Sequence, residues 1–244
     1  MTENKQIRIS IEGGVGAGKS ELLNYLFRNG YNVVLEPTVE WESHLDSKTG
    51  KNLIELFYEN PQRYAFTFQI FALTTRMMAI DRAIRECPSR NGCLILERCI
   101  DTDRYVFADT LYRDGTLTEL EYRIYQSYVQ SIVRSPSHRD SNFSVDGMIY
   151  LHTSVDRCFE RIQKRNRKGE EHVDIQYLHA LAQSHDNMIA KAEQSDLPVL
   201  ILDGDLGLDD LPNKLKQIEE FALQIQQKNI RQTSSITSDQ TLDS

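Results

Sequence analysis

Eight consecutive residues, Gly13-Gly14-Val15-Gly16-Ala17-Gly18-Lys19-Ser20, carry the clearest chemistry in the sequence. Glycines at 13, 16 and 18 permit backbone conformations in which several N–H groups turn toward one anion. Lys19 can reach the β- and γ-phosphates of a nucleotide, and the Ser20 hydroxyl can ligate Mg²⁺. The competing reading is a glycine-rich turn with no ligand, and the flanking pattern decides against it. Ile7-Arg8-Ile9-Ser10-Ile11 alternates as a strand, while Leu22, Leu23, Leu26 and Phe27 fall on one helix face. Strand, glycine loop and helix make a phosphate-binding P-loop, with the positive helix end toward the anion. The chain is therefore expected to bind a nucleoside triphosphate.

Three further groups suggest what is done with it. Glu36 follows the apolar segment Tyr31 to Leu35, where a carboxylate beside a P-loop can take a proton from an attacking hydroxyl. An ordinary capping or surface acid would look the same. Glu97-Arg98 follows Cys93 to Leu96; the acid can hold magnesium through water and the arginine can neutralise developing phosphate charge. Taken alone, the pair could equally be a buried structural ion pair. Arg161, Arg165 and Arg167 follow the segment Met148 to Leu151 and aim several guanidiniums at one volume. Such runs are usually solvated helix faces. In a chain of net charge −8, this densest basic cluster reads better as an arginine lid over a triphosphate.

The elements that must position these groups follow from short apolar runs separated by helical patterns. With Val199 to Leu202 there are five strands in all, and the four after the first are short and nearly continuous in apolar residues, as in strands buried on both faces of a parallel sheet. The expected fold class is α/β: a P-loop NTPase fold with a five-stranded parallel sheet flanked by helices and an arginine-rich lid. Ligands should then sit at the carboxyl ends of the strands. A long helix is expected from about Pro61 to Glu86, with Cys87-Pro88 at its end, and Thr118 is placed to cap a helix through Val133. One domain is expected over residues 1–227. From Lys228 to Ser244 the sequence turns polar without apolar periodicity, and a disordered tail is expected there.

Composition excludes other classes. At 244 residues the chain suits one large α/β domain, and its acidic balance gives no footprint for nucleic acid. No apolar run approaches a membrane span. With the first strand at Ile7, no leader peptide is expected, and the expected location is cytoplasmic. Cys87, Cys93, Cys99 and Cys158 have neither metal-site spacing nor a disulfide framework, so reduced, buried thiols are expected.

The ordered set of motifs resembles the deoxynucleoside kinase family, closest to its deoxycytidine/deoxyguanosine kinase branch. The resemblance runs from about Ile7 to Leu202. Besides the P-loop it rests on Glu36-Pro37 followed by Trp41, Tyr58-Glu59-Asn60-Pro61, Phe66-Thr67-Phe68-Gln69, Glu97-Arg98, Asp103-Arg104-Tyr105 and the three lid arginines. Cys99 departs from it, since the family usually has serine after Glu-Arg. The resemblance implies a kinase moving the γ-phosphate of ATP, or another NTP, to a deoxynucleoside 5′-hydroxyl for salvage of DNA precursors. Glu36 would be the general base, Arg98 would bridge the hydroxyl and the transferred group, and Ser20 and Glu97 would organise Mg²⁺. Tyr58 and Glu170 would hold the sugar 3′-hydroxyl, and Trp41 and Phe107 would wall the base site.

Gln69, Ala72, Leu73 and Arg76 share one face of the long helix and match the family's base-reading positions. Asp103 would accept from an exocyclic amine, with Arg76 holding it in place, although a plain structural salt bridge is the alternative. On this reading deoxycytidine or a purine deoxynucleoside is preferred over thymidine. The family is typically homodimeric; Tyr122, Tyr125 and Val129 with Phe66 and Ile70 would supply an interface or else core. Two other functions fit parts of the pattern: a nucleoside-monophosphate kinase, and a non-catalytic P-loop protein serving as an assembly subunit.

Overall fold

The computed structural model describes residues 6–86, 92–133 and 143–239. Five parallel strands form one sheet: β1 (Ile7–Glu12), β2 (Asn32–Val34), β3 (Cys93–Glu97), β4 (Gly147–His152) and β5 (Val199–Asp203). Their spatial order is β2-β3-β1-β4-β5. The β1 register sets Ile9 beside Ile95 on one side and Gly147 on the other. All six residues of β1 are buried, as a central strand covered on both faces requires.

The helices are α1 (Lys19–Arg28), α2 (Thr38–Ser43), α3 (Leu53–Glu59), α4 (Pro61–Glu86), α5 (Ile100–Thr102), α6 (Asp109–Arg113), α7 (Glu119–Val133), α8 (Val155–Arg165), α9 (Ile175–Gln194) and α10 (Leu211–Asp239). A π-helical stretch, Asp103–Ala108, joins α5 to α6. One core layer sets Ile7, Ile9 and Ile11 against Leu22, Leu23 and Leu26 of α1 and Ile218, Phe221 and Ile225 of α10. On the opposite side of the domain, α4, α7 and the 100–113 segment share a second cluster around Leu73, Leu111, Tyr125 and Val129.

The chain runs from β1 out to β2 and back to β3 on one side of β1, then crosses past β1 to β4 and β5 on the other. A crevice therefore opens at the carboxyl ends of those strands. The loops after β1, β2, β3, β4 and β5 all converge there, because every strand runs the same way.

Several expectations are revised. Leu73 points into the core with no exposure rather than toward a ligand. For Tyr125 and Val129, where interface and core were both open, the structure gives core. α10 continues to Asp239, through the segment expected to be disordered from Lys228. Once Ile218, Phe221 and Ile225 dock its first turns, each added residue gains a helical hydrogen bond without a new nucleation cost. Residues 240–244 lie outside the described residues, as does the expected helix end at Cys87-Pro88. Thr118 does cap α7: its Oγ1 accepts from Glu121 N–H at 3.3 Å, and Glu121 accepts from Thr118 N–H at 2.9 Å. This reciprocal pair is a capping box.

Candidate active site

A cleft of about 760 Å³ opens at the strand ends. Val15, Gly16, Ala17, Gly18, Lys19 and Ser20 form one wall of it, and Gly13 and Gly14 lie at the base of the loop. Two glycines are dictated by contact. Gly13 has φ +145°, and a Cβ there would stand 2.7 Å from Leu151 O; Gly16 has φ +82°, and its Cβ would stand 2.5 Å from Cys158 O. The loop thus wraps against β4 and α8 as closely as backbone allows.

Lys19 Nζ donates to Gly13 O at 3.1 Å and Gly14 O at 2.9 Å. Burial, and then the nearby Arg98 charge, bring its pKa down to about 8, against the opposing pull of Glu97, Glu36 and Glu12. An anion arriving in the loop would restore the charged form.

At the other side of the cleft, Glu36 leaves β2 between two guanidiniums. Arg76 Nη2 donates to Glu36 Oε1 at 2.8 Å, and Arg98 Nε lies 3.6 Å from the same oxygen. Burial would raise this carboxyl, but Arg98, Arg76 and Lys19 together hold it at about 2. It is ionised at every ordinary pH. The Glu36 side chain keeps 18 % exposure while Arg76 and Arg98 keep 3 % and 2 %, so the acid is the member of this group that faces a ligand.

Arg76 does more than hold Asp103. Its Nε and Nη2 meet Asp103 Oδ2 and Oδ1 at 2.7 and 3.1 Å, its Nη1 donates to Glu97 O at 2.7 Å, and its Nη2 reaches Glu36. One planar guanidinium therefore ties three strand-end and helix groups into one unit. Burial raises Asp103 despite the arginine beside it. Asp103 and Phe107, four residues apart in the π-helical stretch, line the same cleft; such stretches are frequent at functional sites.

Trp41, Tyr58, Gln69 and Phe107 line this end of the cleft. Trp41 is held by its indole N–H, which donates to Thr75 Oγ1 at 2.8 Å. Burial, with the negative charges of Glu170 and Glu36, raises the Tyr58 phenol, which stays a neutral O–H donor. Glu97 lines the cleft and accepts Glu36 N–H at 3.1 Å; Ser20 lines it across the P-loop.

Arg161, Arg165, Arg167 and Glu170 are also at the cleft, but each already has protein partners. Arg161 donates to Ala17 O at 2.9 Å and Gly204 O at 3.0 Å. Arg165 grips Glu170 at 2.5 and 3.1 Å, and Arg167 lies 3.5 Å from Glu42.

Sequence reasoning missed other wall residues. Phe68 stacks on Phe57 and meets Trp41 edge-on, and Ile54 lies beside them. Phe68 sits four residues before Ala72, so helical spacing alone would have found it. Leu206, Gly207, Leu208 and Lys214 extend the cleft beyond the P-loop. They lie in or after a loop with no periodic signal. Behind Phe107, the buried His185 stacks against Tyr150, donates its Nδ1–H to Leu181 O at 2.9 Å, and is driven by burial down to about 3.

A P-loop, an ionised acid and buried arginines in one cleft are the parts of a phosphoryl-transfer site. The deoxynucleoside kinase family model matches residues 9–231. The chain belongs to the deoxynucleoside kinase family. It is 36 % identical over 213 residues to a probable deoxycytidine kinase of Fowlpox virus (strain NVSL), covering 86 % of this chain and 84 % of that one. Deoxycytidine kinase 2 of Gallus gallus is 33 % identical, with 86 % of each chain covered. The mitochondrial deoxyguanosine kinase of Xenopus laevis is 30 % identical, with 88 % of this chain and 92 % of that one covered. This deoxynucleoside kinase is a phosphotransferase that binds nucleoside and nucleotide substrates in salvage. Among the described residues no helix is long and apolar enough to cross a membrane.

Proposed function

We propose that the enzyme transfers the γ-phosphate of ATP, or another NTP, to the 5′-hydroxyl of deoxycytidine or a purine deoxynucleoside. The observation that carries this reading is Glu36, an ionised acid pinned between Arg76 and Arg98 in the same cleft as Lys19. Glu36 accepts the hydroxyl proton, and Arg98 stabilises the charge that develops between attacking oxygen and phosphorus. Lys19 and the P-loop amides hold the β- and γ-phosphates. Tyr58 and Glu170 hold the sugar, and Gln69, Asp103, Trp41 and Phe107 hold the base. Arg161, Arg165 and Arg167 exchange their protein acceptors for phosphate oxygens when the donor binds.

Ser20 and Glu97 fit Mg²⁺: both are hard oxygen donors, and one or two protein ligands suffice when phosphates supply the rest. Among the described residues no three His, Cys, Asp or Glu side chains cluster as a closed metal cage, which agrees with a substrate-borne ion. When bound, Mg²⁺ would neutralise charge on the phosphates. The proposed location is cytoplasmic, and the proposed assembly is a homodimer through α4 and α7, where Met78, Leu120 and Ile124 remain exposed. The net charge of −8 argues against nucleic acid as a partner.

Steady-state kinetics with four deoxynucleosides, each with ATP and UTP, tests the function. We expect turnover on deoxycytidine or a purine deoxynucleoside at least about tenfold above thymidine in kcat/KM. Acceptance of nucleoside monophosphates instead would establish the monophosphate-kinase reading. Thermal stabilisation by nucleotide with no turnover on any nucleoside would establish a non-catalytic role.

A further inference from the structure

One buried carboxylate beside the site has no part in the mechanism above. Glu12 ends β1 and has no exposure. Its Oε1 accepts from Cys99 N–H at 3.0 Å and its Oε2 from the Thr102 hydroxyl at 2.5 Å. A carboxylate removed from water requires such partners, but the place of these is informative. Arg98 N–H donates to Ile11 O at 3.1 Å, one residue earlier on each strand. The turn carrying Arg98 is therefore tied to the last two residues of β1 at three points.

That turn needs holding. Arg98 has φ +66°, a left-handed conformation that residues other than glycine rarely adopt. Its side chain is held loosely: Nε and Nη1 are buried without a hydrogen-bond partner among the described residues, Nε lies 3.6 Å from Glu36 Oε1, and the guanidinium lies over the Phe107 ring at 5.0 Å. With no hydrogen bond at Nε or Nη1, the direction of the guanidinium depends on the backbone that carries it. Cys99, at the start of α5, makes no side-chain cap bond, and its Sγ lies 3.6 Å from Thr102 Oγ1. Glu12, from another strand, takes the N–H just before this helix and the Thr102 hydroxyl within it, at a helix end that favours negative charge.

We infer that Glu12 is a positioning residue for phosphoryl transfer: it locks the Arg98–Thr102 turn so that the Arg98 guanidinium faces the reacting groups. This rests on the role proposed for Arg98, and the experiment separates the two. Arg98→Ala should lower kcat by at least about 10²-fold. If it leaves kcat within about threefold, the role of Arg98 falls and the inference with it.

With that loss established, Glu12→Ala should lower kcat by about 30- to 100-fold while both KM values move less than about threefold, as expected for about 1 Å of misplacement. In the Arg98→Ala background the same change should cost less than about threefold, because its target is gone. Glu12→Gln keeps the acceptor for Cys99 N–H and should recover kcat to within about tenfold of the unmodified enzyme. Additive losses in the cycle, or a lowered Tm with unchanged kcat, would overturn the role of Glu12 and leave that of Arg98 standing. If Glu12→Ala does not fold, Thr102→Val removes one partner while keeping shape. An unchanged kcat, or a loss additive with Arg98→Ala, would equally overturn it.

Discussion

In the proposed mechanism Glu36 takes a proton while two guanidiniums hold it ionised. With its pKa held at about 2, it is a weak base for a hydroxyl, so the role proposed for it is to orient the nucleophile and receive the proton late in transfer. Glu36→Gln should lower kcat by about 10²- to 10⁴-fold with the nucleoside KM little changed. The kcat profile of the unmodified enzyme should show no acid limb from Glu36 between about pH 5 and 8. An unaltered kcat in the variant would remove Glu36 from the mechanism. Arg76 complicates the base pocket, since the guanidinium that orders Asp103 also holds Glu36. Thymine would set a carbonyl against Asp103, at a penalty of about 1–3 kcal/mol. The double change Arg76→Met with Asp103→Ala should therefore raise the thymidine-to-deoxycytidine ratio of kcat/KM by about tenfold, while kcat falls for every nucleoside. Both charges must go together, because a single change strands a buried partner at about 3–5 kcal/mol. An unchanged ratio would mean that Asp103 does not face the base.

At the level of elements, caps and turns do the positioning. α7 begins at a reciprocal Thr118–Glu121 pair and covers the face of α4 opposite the cleft, with Tyr128 OH 3.2 Å from Thr74 Oγ1. Thr118→Ala should cost about 1 kcal/mol in urea unfolding and leave kcat/KM unchanged. A comparable loss of activity would mean that α7 influences the cleft through α4. The π-helical stretch has a different role. Asp103 and Phe107, four residues apart on one face of it, both reach the cleft, whereas Val106 and Ala108 remain in the core.

For the whole molecule, acid should destabilise the fold through a residue outside the proposed chemistry. His185 is neutral in the folded chain, with a pKa of about 3, whereas an unfolded histidine titrates near 6.5. The unfolded state then binds more protons between those values, so this stability is full above about pH 6.5 and is lost as pH falls. The slope from one such group approaches 1.4 kcal/mol per pH unit, or about that, in the middle of the window. Urea unfolding at about pH 7, 6 and 5 should show this decline, and His185→Gln should flatten it. An equally steep decline in the variant would assign it to other groups.

The sequence by itself determined the P-loop, the five strands, the long α4 and the identities of the charged residues at the cleft. Those signals are local: a glycine spacing, an apolar run, a helical stripe. Their sharing of one site followed as well, because a parallel sheet brings every strand end to one edge. Only the tertiary structure decided which partner each charge takes. Arg76 reaches Asp103, Glu97 and Glu36 across sequence separations of 27, 21 and 40 residues, and no local pattern encodes such distances. Leu73 shows the same limit, since its helix face is legible but packing from α7 and the 100–113 segment decides that it is core. Glu12 reads in sequence as the last residue of a strand. Its grip on the turn around Arg98 exists only because β1 and β3 are neighbours in the sheet.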